Sequence, residues 1–171
     1  MKTLLLGLLL LAGYVRADTP YDLYSVTLAT PTLSTSAYSS GDYMGSIMTV
    51  TNACANTGSW TTLDSLNLID YDNQKIAADL YLWSVSPTIT SADNAAININ
   101  PRDSGTTKAY VNLPAASYTS FNAAAVGQFT NLNIRVKCAA GSKSLYGLLV
   151  SRGTPTRTAT GLDLNFIFKH N

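Results

Sequence analysis

Apolar and polar side chains alternate with a period of two in several segments of this chain, and this pattern is typical of a half-buried β-strand. In the C-terminal stretch GLDLNFIFK, one face of the alternation holds Leu162, Leu164, Phe166 and Phe168. The stretches NLNIRVKC (131–138) and QKIAADLYLWS (74–84) alternate in the same way. Since only one face is apolar, each stretch predicts a strand of an antiparallel sheet that covers a core.

Turn residues divide these strands from one another. The segment DYDNQ (70–74) predicts a hairpin between strands at 60–70 and 75–85, and AAGS (139–142) should join strands at 130–138 and 144–152. Further strands are expected at 23–29, 43–52, 105–113 and 117–127, with a short helical turn at TSADNAA (90–96). Eight or nine strands predict an all-β fold, an antiparallel β-sandwich whose expected type is the jelly roll.

Composition supports the same fold class and narrows the function. The 171 residues are enough for one domain with its own core, and all ten acidic residues are Asp. Glu is absent, while the abundant Thr, Tyr, Ser, Asn and Val favour strands and turns. The net charge of +1 argues against electrostatically driven binding to nucleic acid or to an anionic membrane.

The N-terminal segment has two interpretations. Lys2, the apolar run 3–13 and the small-residue pattern at 15–17 resemble an export signal, and the run is shorter than the roughly 20 apolar residues of a membrane span. Apolar arms of this kind also occur in assembly proteins, where a neighbouring subunit buries them. The expected organisation is therefore a segment at 1–20, either an apolar arm or a signal peptide, followed by a β-sandwich domain at 21–171.

Residues that could support catalysis are few. The single histidine, His170, lies next to the C-terminus, so a Ser-His-Asp or Cys-His arrangement has little support. Asp70 and Asp72 form the best carboxylate pair, but Asp suits a hairpin tip, and this interpretation is favoured over a calcium site. We expect no catalytic residues, no bound metal and no cofactor.

Two pairs of residues leave alternatives open. Tyr81 and Trp83 share the face opposite the apolar stripe of their strand, where they could stack on a sugar, bind another protein or be covered by a loop of the same domain. Cys54 and Cys138 could pair as a disulfide or remain as two buried free thiols.

Three stretches together resemble a known family. They are SAYSSGDYMGSIMTVTNA (36–53), LIDYDNQKIAADLYLWSVSPTITSADNAAININ (68–100) and SLYGLLVSRGTPTRTATGLDLNFIF (144–168). In this order they resemble the small jelly-roll decoration, or cementing, proteins of tailed-bacteriophage capsids. The resemblance spans most of residues 30–168 and rests on packing and turn residues, with no catalytic signature.

The resemblance implies a non-enzymatic protein of the outer virion surface, assembled in the host cytoplasm. Its expected partners are the major capsid protein and further copies of itself, with a homodimer favoured over a trimer. The N-terminal leucines then form an anchoring arm that a partner buries: Leu4, Leu5, Leu6, Leu8, Leu9, Leu10 and Leu11. The same interpretation expects free thiols at Cys54 and Cys138.

The alternative is a secreted β-sandwich that binds carbohydrate. It expects residues 1–17 to be a cleaved signal peptide, Asp18 to be the new N-terminus and Cys54 to pair with Cys138. It also expects an aromatic face for the glycan.

Overall fold

The computed structural model describes residues 23–104 and 108–170. The fold is all-β, and its two antiparallel sheets pack face to face as a sandwich. The expected fold class is therefore confirmed. Within the described ranges, no helix is long and apolar enough to cross a membrane. The predicted leucine arm at 1–20 lies outside the described residues.

The first sheet has six strands in the order β1-β10-β3-β7-β6, with β8 also paired to β3. Its strands are β1 (Leu23–Ala29), β3 (Trp60–Asp70), β6 (Tyr118–Phe121), β7 (Ala124–Phe129), β8 (Ile134–Lys137) and β10 (Leu162–His170). Strands β7 and β8 lie end to end along the same edge of β3, β7 opposite Leu66–Asp70 and β8 opposite Trp60–Leu63.

The second sheet has four strands in the order β2-β9-β4-β5. They are β2 (Tyr43–Val50), β4 (Ala78–Trp83), β5 (Ala109–Leu113) and β9 (Leu145–Ser151). The described part of the chain also holds a one-turn helix, α1 (Pro101–Ser104), and a 3-10 turn at Ala115–Ser117. The expected helical turn at 90–96 is wrong, because this segment is irregular and pairs with the start of β2.

The core lies between the sheets, and the alternation of the sequence predicts it well in two strands. In β10 the four residues of the predicted apolar face are all buried: Leu162, Leu164, Phe166 and Phe168. In β8 and the residue after it, Val136 and Cys138 point into the core while Arg135 and Lys137 remain exposed.

Both predicted hairpins are wrong in their pairing, although the turns lie where expected. Strand β3 belongs to the first sheet and β4 to the second, so the turn at 70–75 carries the chain from one sheet to the other. The turn at 139–142 does the same between β8 and β9. The predicted strand at 117–127 is instead the hairpin β6–β7, because Asn122 adopts a φ of 53° that reverses the chain.

The turn after β3 is held by a buried ion pair. Asp70 is fully buried and pairs with the guanidinium of Arg157, which is itself only 3% exposed. The Asp70 carboxylate also accepts backbone N–H groups from Asp72 at 3.1 Å and from Lys75 at 2.7 Å. These contacts tie the crossing between the sheets to a distant loop, since Arg157 lies 87 positions along the chain.

Candidate interaction surfaces

The outer face of the second sheet is covered by the chain itself. The segment that follows β4 packs on this face through Ile89, Ile97 and Ile99. It also pairs with the start of β2, where Tyr43 N–H donates to the Ala95 carbonyl at 2.9 Å. This sheet therefore has a second, smaller apolar cluster on the side away from the main core.

Trp83 lies beneath this covering segment, so its predicted role at an interface is wrong. Its side chain is only 1% exposed, and its Nε1–H donates to the Asp103 carbonyl oxygen at 2.9 Å. The loop cover, one of three alternatives from the sequence, is the arrangement found. Tyr81 is half-buried, and its ring lies 5.3 Å from that of Tyr110, which is 51% exposed.

Tyr110 is a surface aromatic that sequence reasoning missed. Its position opposite Tyr81 depends on the pairing of β4 with β5, which are separated by a long loop. Its hydroxyl donates to Oδ1 of the buried Asp79 at 3.0 Å, and this hydrogen bond raises the pKa of Tyr110. Asp79 also forms an ion pair with Arg152, so its carboxylate already has polar partners within the domain.

The Asp70 and Asp72 carboxylates are engaged by the protein. Asp70 is paired with Arg157, and Asp72 accepts the backbone N–H and the hydroxyl of Thr158, both at 2.9 Å. Over the described residues, no group of three or more His, Cys, Asp or Glu side chains lies close enough to hold a metal ion. The interpretation of this segment as a polar turn agrees with these contacts.

His170 lies at the end of β10. Its Nδ1 is 3.4 Å from the Thr61 hydroxyl, and its pKa is lowered, first by burial and then by the charge of Lys143. Its hydrogen-bond contact is thus with the hydroxyl of a neighbouring strand of the same sheet.

Cys54 and Cys138 form a disulfide, so the expectation of two free thiols is wrong. Their Cα atoms lie 6.4 Å apart, within the usual range for such a bond. Cys54 follows β2 and Cys138 follows β8, which places the bond between the two sheets. The pairing depends on the fold, because the sequence alone does not bring the two residues together.

The exposed apolar surface of most interest lies on β1. Tyr24, Val26 and Leu28 point outward and are 51%, 67% and 56% exposed. The alternate residues of the same strand, Thr27 and Ala29, are buried, and the Thr27 hydroxyl donates to the Thr51 carbonyl at 2.6 Å. Period-2 alternation locates the strand, but it would assign these three apolar residues to the core. We call them the β1 row.

The β1 row lies on an edge strand. Among the described strands, β1 pairs only with β10, whereas the outer edge of β2 is paired at its first residue, Tyr43, with the backbone of Asn94 and Ala95. Ile167 of β10 is opposite Val26 and extends the apolar surface by one strand. Strand edges with an apolar face are surfaces on which other chains dock.

No protein-family model, no curated protein and no solved structure matches this chain.

Proposed function

We propose that this chain is a non-enzymatic structural protein that decorates and cements the outer surface of a bacteriophage capsid. It bridges neighbouring major capsid proteins and stabilises the expanded shell. The observation that carries the proposal is the β1 row, an apolar edge-strand surface that residues 23–104 and 108–170 leave exposed. The sequence resemblance of residues 36–53, 68–100 and 144–168 supplies the class of partner.

The β1 row and the predicted arm are continuous in the chain. Eleven residues separate the last leucine of the run, Leu11, from the start of β1 at Leu23. An arm buried by a capsid subunit would keep the β1 row within reach of the same partner. Each apolar side chain removed from water in this contact contributes on the order of 1–2 kcal/mol.

The mechanism requires no active site. A protein that binds the expanded lattice and not the immature one stabilises the expanded state by mass action. Because each shell carries many copies, a modest contact per copy is sufficient. The rigid, disulfide-linked sandwich suits this task, and self-association as a homodimer, or else a trimer, would join sites across a symmetry axis.

The disulfide is compatible with this location. Disulfides persist on virion surfaces, although the cytoplasm in which the virion assembles keeps thiols reduced. The bond is then expected to form after release from the host cell.

The test compares two valines of almost equal exposure. Val26 is 67% exposed in the β1 row, and Val85 is 65% exposed in the segment after β4. Val26→Lys is expected to weaken co-sedimentation with expanded capsids by tenfold or more, because a lysine charge in an apolar contact costs more than the lost valine burial. Val85→Lys should bind like the wild type.

Equal capsid binding by the two variants would contradict the proposal. A deletion of residues 2–13 tests the arm separately, since a folded domain that still binds capsids at full affinity would exclude an anchoring role. Analytical ultracentrifugation of the wild-type protein separates monomer, dimer and trimer.

A second candidate is the secreted carbohydrate-binding β-sandwich with residues 1–17 as its signal peptide. The Cys54–Cys138 bond favours it, because disulfides are a common feature of exported domains. The intact mass of the native protein distinguishes the two candidates. A chain that begins at Asp18 supports export, whereas a chain that retains the leucine run supports the arm.

A further inference from the structure

A cleft outside the β1 row combines positive charge with an exposed aromatic ring. It has a volume of about 370 Å³, which is in the range of small-ligand sites, and its wall includes Trp60, Ser84, Lys108, Arg135 and Lys137. Trp60 begins β3 and is 44% exposed. We call this feature the Trp60 cleft.

Strand pairing sets the positions of the groups. Trp60 lies opposite Lys137, and Thr62 lies opposite Arg135, so the two cations project from β8 on the same face as the indole. The Arg135 guanidinium carbon is 4.6 Å from the centre of the Trp60 ring, and the Lys137 Nζ is 5.8 Å from it. The ring thus holds both cations by cation–π attraction.

These cations are not neutralised by carboxylates of the described chain. The two ion pairs found there join Arg152 to Asp79 and Arg157 to Asp70, both elsewhere in the domain. Lys108, just before β5, adds a third positive charge to the wall of the cleft. A chain with a net charge of only +1 thus places three cations in the wall of one cleft.

A disulfide and a backbone hydrogen bond tie the strand ends beside the cleft together. Cys138 follows Lys137 directly, and its disulfide ties this end of β8 to the end of β2. The Cys138 N–H also donates to the Ser59 carbonyl at 3.1 Å, next to Trp60. Groups held in place before binding lose little conformational freedom when a ligand arrives.

From this arrangement we infer that the Trp60 cleft binds an acidic saccharide. The carboxylate or sulfate of the sugar bonds to Arg135 and Lys137, with Lys108 close by, since a guanidinium and an ammonium are strong donors to such oxygens. The C–H groups of the sugar ring pack on the part of the indole that the two cations leave exposed, since Trp60 is 44% exposed. A nucleic acid is less well matched, because backbone binding needs a track of cations and the charge here is confined to one cleft.

The binding site is distinct from the β1 row, so the inference goes beyond capsid attachment. It gives the domain an affinity for an acidic polysaccharide at a cell surface, whether the domain is displayed on a virion or exported. Failure of glycan binding and failure of capsid binding are separate results, because they are measured with different partners and different variants.

The experiment measures binding of trigalacturonate by isothermal titration calorimetry. Its arms are the neutral methyl ester of the same trisaccharide, a sulfated trisaccharide and an oligothymidylate of equal charge. We expect the acidic sugar to bind, the methyl ester to bind at least tenfold more weakly, and added salt to reduce the affinity. The sulfated arm distinguishes carboxylate from sulfate as the preferred anion.

Arg135→Gln and Lys137→Gln should each lower the affinity about tenfold or more. The matched control is Lys75→Gln, which removes the same charge beyond the other end of β3. Thermal unfolding of each variant verifies its fold, and the two cleft variants test the site independently. Unchanged affinity in both cleft variants, equal binding of the methyl ester, or binding of the oligothymidylate alone would overturn the inference.

Discussion

Removing the Cys54–Cys138 disulfide should cost this domain a large part of its stability. The bond links two residues separated by 84 positions, so it closes a loop that includes half of the chain. In the chain-entropy model, a loop of this length reduces the entropy of the unfolded state by about 15 cal/mol/K. The corresponding stabilisation is about 4.5 kcal/mol at 25 °C, and a domain of this size would lose roughly 10–15 °C in Tm.

The assay is urea unfolding followed by tryptophan fluorescence, with and without a phosphine reductant. The double variant Cys54→Ala/Cys138→Ala should unfold at the lower midpoint in both conditions, which controls for effects of the reductant itself. Both cysteines are buried, so the variant also loses some side-chain packing, and it should be slightly less stable than the reduced wild type.

One result would refute this reasoning. If mass spectrometry shows full reduction of the native protein and the unfolding midpoint does not move, the bond does not restrict the unfolded chain as argued. If the untreated native protein already carries two free thiols, the disulfide no longer favours an oxidising compartment. The exported candidate would then lose its specific support.

Two further predictions concern buried polar groups. Asp70→Asn leaves the buried Arg157 without its charged partner, so it should lower the free energy of unfolding by about 3–5 kcal/mol in urea titrations. The control Asp64→Asn changes a half-buried residue of the same strand and should cost far less. Equal losses in the two variants would contradict the importance of this ion pair. Burial raises the pKa of Tyr43 to about 12, so its contribution to stability is complete below pH 10 and is lost as the pH rises through 12. Between pH 9 and pH 12, Tyr43→Phe should therefore lose about 2–3 kcal/mol less of its free energy of unfolding than the wild type does. Identical pH slopes in the two proteins would exclude the effect.

Strand positions could be predicted where a strand has one buried and one open face. In β10, every second residue from Leu162 to Phe168 is buried in the core. The alternation is clear because the outer side of the first sheet is not covered by another layer of the described chain. In β4 the same reasoning failed for Trp83, since a covering segment buries both faces of the strand. Periodicity shows that the two faces of a strand differ in polarity, but it does not show what packs against the polar face.

Pairing partners were harder to predict than strands. The residues of the segment 70–74 correctly indicate a reversal, but whether the next strand joins the same sheet depends on distant groups. Here Arg157 binds Asp70 across the fold and holds the crossing between the sheets. The two proposed surfaces depend on the same kind of information, because the outward direction of Val26 and the meeting of Trp60 with Arg135 both follow from long-range pairing.

The amino-acid sequence by itself determined the fold class, most strand positions and the location of the turns, since backbone preference and side-chain alternation act over a few residues. Only the tertiary structure decided which strands share a sheet, which apolar residues face water and that Cys54 meets Cys138. These features depend on contacts between segments far apart in the chain. Their free energies are realised only when the whole sandwich has assembled.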